Sequence, residues 1–145
     1  PKYHILFGFL FSLMLYLIFP FIGLLGFLII FVSSVLIDVD HYFYYIFTKK
    51  DLNLKKAYKY FFEKRKKGIL SAKLVKKASN PAMYFFHGIE VLLILFILGI
   101  FLNKSFLFIF IGFSLHLFLD VLEQIYYGFR ITKVSLIWDL VRLKN

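Results

Sequence analysis

The chain has 145 residues, is 61% hydrophobic with 21 Phe, and carries a formal charge of +10 with no cysteine. Soluble domains hold about 45–50% apolar residues, so this composition points to a membrane protein, and its length fits one domain. The lack of cysteine excludes disulfides and thiolate metal sites.

In chain order, the first feature is an uncharged run from Ile5 to Ile37. One membrane span needs about 20 residues, so the run is too long for one helix. The residue before a proline is pushed out of the helical region, which predicts a break at Phe19-Pro20. The expected spans are therefore about 2–19 and about 22–41, with one long kinked helix as the alternative. A run this long, with no small-residue cleavage site after it, does not read as a cleaved leader. The aromatic stretch from Tyr42 to Phe47 suits the headgroup level.

A basic amphipathic segment follows. Asp51 is placed to cap a helix running to about Lys67, with Gly68 just past its end. Leu54, Tyr58, Phe61 and Phe62 fall on one face at helical spacing, which predicts an interfacial helix; Ser71 opens a second short one. Asn80-Pro81 is a helix-start signal for a third span over about 81–102. A turn at Asn103-Lys104-Ser105 leads to a fourth over about 105–123. The tail over about 131–143 reads as another amphipathic helix. The expected fold is an all-α, integral membrane four-helix bundle with amphipathic interfacial helices at about 51–78 and 131–143.

The charges are distributed in an unusual way. Twelve of the eighteen Lys and Arg residues lie in 49–80. The acids Asp38, Asp40, Glu90, Asp120 and Glu123 instead lie within or at the ends of apolar runs. Ionisable groups at membrane depth are functional-site candidates by default. With four antiparallel spans, His4, the Asp38-Val39-Asp40-His41 stretch, His87 with Glu90, and His116 with Asp120 and Glu123 all fall on one side. On that side lie seventeen basic residues, against Lys104 alone on the other. The positive-inside bias then puts both termini and the polar cluster on the cytoplasmic side. A basic run beside membrane spans sets topology and binds anionic lipid, so membrane lipids are the expected partners and no nucleic acid is expected.

Helical spacing groups the candidates further. His116 and Asp120 are one turn apart with Glu123 on the same face, and His87 and Glu90 share a face. Asp40 falls off the face of Asp38 and His41, so some unwinding is expected there. The candidate ligands are His4, Asp38, Asp40, His41, His87, Glu90, His116 and Asp120, more than one four-coordinate ion needs. A mixed imidazole and carboxylate set suits zinc, manganese or iron, in one to three ions. Two such ions can activate water and stabilise a phosphoryl displacement. Asp38 and Glu123 are the candidate catalytic carboxylates, with Glu123 open to a role as ligand, as a group that holds a ligand in place, or as base.

The order of these pieces resembles the membrane-bound metal-dependent hydrolases of the YdjM-like type. The matching pieces are His4, Leu36-Ile37-Asp38-Val39-Asp40-His41, Phe86-His87-Gly88-Ile89-Glu90 and His116-Leu117-Phe118-Leu119-Asp120. Two places depart from the pattern: Ile37 stands where a Pro is usual, and Met83-Tyr84-Phe85-Phe86 where a His-Arg pair is often found. The ligand order is also similar in kind to the soluble zinc-dependent phospholipase C and P1 nuclease group. The resemblance implies a metal-dependent hydrolase, and the second similarity implies a phosphoester in a lipid-like substrate. Two rival expectations stand beside it: a metal or proton transporter using the same residues, and a non-catalytic membrane scaffold recruiting partners through its basic helices.

Overall fold

Pro20 sets the first turn of the chain. In the computed structural model, which describes residues 2–75 and 85–127 together with Ser135 and Ile137, helix α1 covers Lys2–Ile18. It stops at Phe19, whose φ of −119° and ψ of 85° lie outside the helical region, as expected of a residue before proline. Pro20–Ile22 form one 3-10 turn, and Gly23 donates its N–H to the Pro20 carbonyl. Gly23 has φ 63° and ψ 177°, a backbone region that is essentially glycine's alone. Helix α2, Gly23–Leu36, then runs back along α1, with Phe9 edge-on to Phe27 and Phe31, and Tyr16 against Phe27.

The remaining described elements are also helical, and no strand occurs among the described residues: the fold is all-α. α3 covers Val39–Lys49, α4 Leu54–Val75, α5 Ile89–Phe101 and α6 Lys104–Tyr126, with a second 3-10 turn at Phe85–His87. Two helical stretches, Pro20–Lys49 and Lys104–Tyr126, are long and apolar enough to cross a membrane; Tyr3–Ile18 and Ile89–Phe101 are apolar but shorter.

Two compact units emerge, one within Pro1–Ile37 and Ile89–Asp120, the other within Asp38–Gly88 and Val121–Asn145. In the first, α1, α2, α5 and most of α6 approach closely through small residues. A methyl group on Gly8 would collide with the Ser34 hydroxyl, and one on Gly112 with Ser33 and the Ile30 carbonyl. Small residues at helix contacts let backbones approach this way. The burial pattern is inverted relative to a water-soluble core. Ser12, Ser34 and His116 are among the most buried side chains, while Leu17, Phe21, Leu25, Leu93, Phe101 and Phe118 are exposed. Three serine hydroxyls donate to carbonyls of their own helices: Ser12 to Gly8, Ser33 to Ile30 and Ser34 to Phe31.

In the second unit, α3 and α4 pack through aromatics, with Tyr45 against Tyr60 and Tyr44 near Phe61. Burial pushes the Lys64 amine below its ordinary pKa, and that amine sits 5.1 Å above the Tyr44 ring.

Several boundaries differ from the sequence expectation. The second span does not run unbroken to His41: α2 ends at Leu36, Ile37 and Asp38 form a turn, and α3 begins at Val39. Asp40 and His41 thus open a new helix, and the aromatic stretch from Tyr42 to Phe47 is helical. The cap of α4 is Asn53, whose Oδ1 accepts from the Lys55 and Lys56 amides. Asp51 instead accepts from the Asn53 amide and from Lys56 Nζ, and these bonds hold its carboxyl below the usual carboxylate range. α4 also passes through Gly68 and Ser71, because one glycine costs a helix only about 1 kcal/mol. Its expected apolar face is split: Leu54, Tyr58 and Phe62 are exposed, whereas Phe61 turns to His41. The expected helix start at Asn80-Pro81 lies outside the described residues, as does the expected tail helix at 131–143, apart from Ser135 and Ile137.

Candidate metal centres

α6 carries His116 and Asp120 one turn apart, as their four-residue spacing requires. His116 Nδ1 lies 2.7 Å from the Ser34 carbonyl in the last turn of α2. That contact makes Nδ1 the protonated nitrogen, because a carbonyl can only accept. Nε2 is then the nitrogen with a lone pair to offer, and it lies 3.8 Å from Asp120 Oδ1. His4, in the first turn of α1, stacks on His116 with ring centroids 4.5 Å apart and planes inclined by 28°. His4 Nε2 is 3.1 Å from the same Asp120 oxygen, yet neither buried nitrogen of His4 makes a hydrogen bond.

These three residues offer ligand atoms within 4.8 Å of one another. Tetrahedral ligands about 2.0–2.2 Å from a zinc ion are ~3.3–3.5 Å apart by geometry. The separations of 3.1 and 3.8 Å bracket that value. Two imidazoles and one carboxylate are the protein donors of many hydrolytic zinc sites, in which water takes the fourth position. The group fits a divalent ion.

A second group lies in the other unit. Asp38 precedes α3, His41 is in its first turn, and His87 ends the 3-10 turn Phe85–His87. Their ligand atoms also fall within 4.8 Å of one another. His41 Nδ1 is 4.0 Å from Asp38 Oδ1, and the His41 and His87 rings are 5.1 Å apart between centroids. Phe61 of α4 also contacts His41, with ring centroids 5.2 Å apart. Asp40 is 3% exposed. Its Oδ2 accepts from the Phe86 N–H and lies 3.3 Å from His87 Nδ1.

Six of the eight expected ligands therefore fall into two triads, each held within one unit, and Asp40 and Glu90 belong to neither. One expected pairing is not kept. His87 and Glu90 do not share a helix face: His87 is in the 3-10 turn, and Glu90 is in the first turn of α5, outside both triads. Glu123 shares α6 with His116 and Asp120, but its Oε1 pairs with Arg65 Nη2 at 2.6 Å. The Arg65 guanidinium also lies 5.9 Å from the Tyr127 ring centroid. Sequence reasoning missed Arg65, which reads as one of twelve basic residues in a solvated run. It also missed the Ser34 carbonyl, since a backbone acceptor leaves no residue-type signal.

Comparison with protein-family models, with curated proteins and with solved structures gives no match.

Proposed function

We propose that this chain is an integral membrane, metal-dependent hydrolase acting on a phosphoester in a lipid or other amphiphilic substrate. The observation that carries the reading is the His4, His116 and Asp120 triad. Two imidazoles and a carboxylate converge at metal-ligand spacing, with a carbonyl fixing the tautomer of one imidazole. His4 Nε2 faces the Asp120 carboxylate at 3.1 Å without hydrogen-bond geometry, which is the separation of two ligands on one ion rather than of a donor and its acceptor. The membrane assignment is supported by the two candidate spans and by exposed Leu, Ile and Phe surrounding buried serines. The resemblance in ligand order to membrane-bound metal-dependent hydrolases supplies the reaction class.

A divalent ion held by either triad would supply Lewis acidity toward a phosphoryl oxygen and make a nearby water easier to deprotonate. The chain's residues do the rest. His4, His116 and Asp120 bind and orient; the Ser34 carbonyl keeps the proton on His116 Nδ1. Within the second triad, Asp38, with 37% of its side chain exposed, is the member open enough to accept a proton from a water bound there. Glu123 is engaged by Arg65, so the proton-accepting role falls to Asp38 rather than to Glu123.

A transporter reading draws less support. Ser12, Ser33 and Ser34 are the main polar groups that could continue a transit path. Their hydroxyl protons are committed to carbonyls of their own helices, and two of them fill contacts against glycine.

Metal analysis of the purified full chain tests the proposal. Zinc, manganese or iron should be present at one ion per triad, and a chelator should remove it together with hydrolysis of a phospholipid analogue. A chain purified at neutral pH with no stoichiometric transition metal would overturn the reading.

A further inference from the structure

Asp40 is the most buried carboxylate among the described residues, and the triads do not include it. Its single oxygen Oδ2 meets two groups at once, the Phe86 N–H and His87 Nδ1. Both belong to the 3-10 turn Phe85–His87. The carboxylate therefore fastens that turn to the start of α3, 46 and 47 positions earlier in sequence. His87 is as buried as Asp40, at 3% exposed, so its ring is enclosed.

We infer that Asp40 is a positioning residue that fixes His87 as its Nδ1–H tautomer and so presents Nε2 as a metal ligand beside Asp38 and His41. This rests on the metal reading proposed above. An ionised carboxylate only accepts hydrogen bonds, so a neutral imidazole facing it at Nδ1 must carry its proton there. Nε2 then keeps the lone pair. Ligating histidines almost always donate their other N–H to a carboxylate or a carbonyl, which fixes ring orientation and raises ligand basicity. In the other triad, the Ser34 carbonyl does for His116 what Asp40 does for His87. Each triad thus contains one imidazole oriented through Nδ1 by an oxygen that is not itself in the triad.

The sequence placed Asp40 among the ligands because Asp38-Val39-Asp40-His41 reads as one cluster. The turn at Ile37 and Asp38 separates the roles: α3 starts after it, and Asp40 faces the Phe85–His87 turn.

The test uses the full chain in detergent, labelled with ¹⁵N-histidine, with the His87 signals assigned through His87→Gln. Before metal is added, His87 should show a protonated Nδ1 and an unprotonated Nε2. Asp40→Ala should release the ring to a mixture in which Nε2–H grows. Zinc titration should then show affinity for one ion falling about 10–100-fold, with the His4, His116 and Asp120 site unchanged. Asp40→Asn keeps an acceptor for the Phe86 N–H without the charge. It should preserve the helical content of the wild type while still weakening that one ion.

If His87 carries its proton on Nε2 in the wild type, or if both variants keep wild-type affinity for both ions, the positioning role is overturned. A wild-type protein that binds no zinc at all would sink the metal reading instead, and with it the ligand half of this inference. The tautomer measurement is read without metal, so the two failures are distinguishable.

Discussion

Asp120 is the residue on which the first triad depends, since one of its oxygens faces both His4 and His116. A carboxylate at membrane depth with no cation beside it costs on the order of 2.5–3.5 kcal/mol. A bound ion removes that cost, and Asp120→Asn removes the charge that holds the ion. The variant is expected to insert and keep its helical content, to lose the ion of its triad, and to lose activity by no less than the ~100-fold that removal of an outer-shell partner can cause. Glu63→Gln, on the exposed side of α4, should leave metal content and turnover as they are. Full metal and full turnover in Asp120→Asn would reduce Asp120 to a packing residue. The pairing of His116 with Asp120 was legible in the sequence, because four-residue spacing on a helix dictates it. That Asp40 approaches His87, and Glu123 approaches Arg65, was not. Both are long-range contacts, which residue type and local spacing do not reveal.

The helix breaks differ in how clearly the sequence announces them. Pro20 marks the first by chemistry, and Gly23 completes it with a backbone shape closed to other residues. Gly23→Ala leaves the space around it open, since nothing lies within 4 Å of an added Cβ. Its cost is therefore backbone strain, of order 1–3 kcal/mol, and thermal or denaturant unfolding in detergent should fall by that amount. An unchanged midpoint would mean that the turn relaxes at no cost. The break at Ile37 and Asp38 carries no Pro or Gly and the apolar pattern runs into it, which extends the expected span to His41; only the misfit of Asp40 with the face of Asp38 and His41 signals unwinding there. Gly68 misled in the opposite sense: it looks like a helix end, yet α4 continues through it to Val75.

For the molecule as a whole, the lysines and arginines of 49–80 and the isolated Lys104 make a topology prediction. Because the chain has no cysteine, single cysteines introduced at Lys59 and Lys104 can be labelled without background. Membrane-impermeant reagent should reach position 59 from the cytoplasmic side and position 104 from the opposite side. Labelling of both from one side would contradict the proposed arrangement of spans. The Ser34 carbonyl has a consequence of another kind. It lies in the last turn of α2, among the carbonyls that a helix leaves without an intrahelical amide, and it accepts a hydrogen bond from His116 Nδ1 instead. The end of one helix and the readiness of a ligand are thus a single equilibrium. An ion that binds only the folded arrangement adds RT ln(1 + [L]/Kd) to its stability. For this protein, free metal concentration would then set how often α2 frays at its end, and scarcity of the ion would be felt as loosening of the fold before it was felt as loss of a reaction.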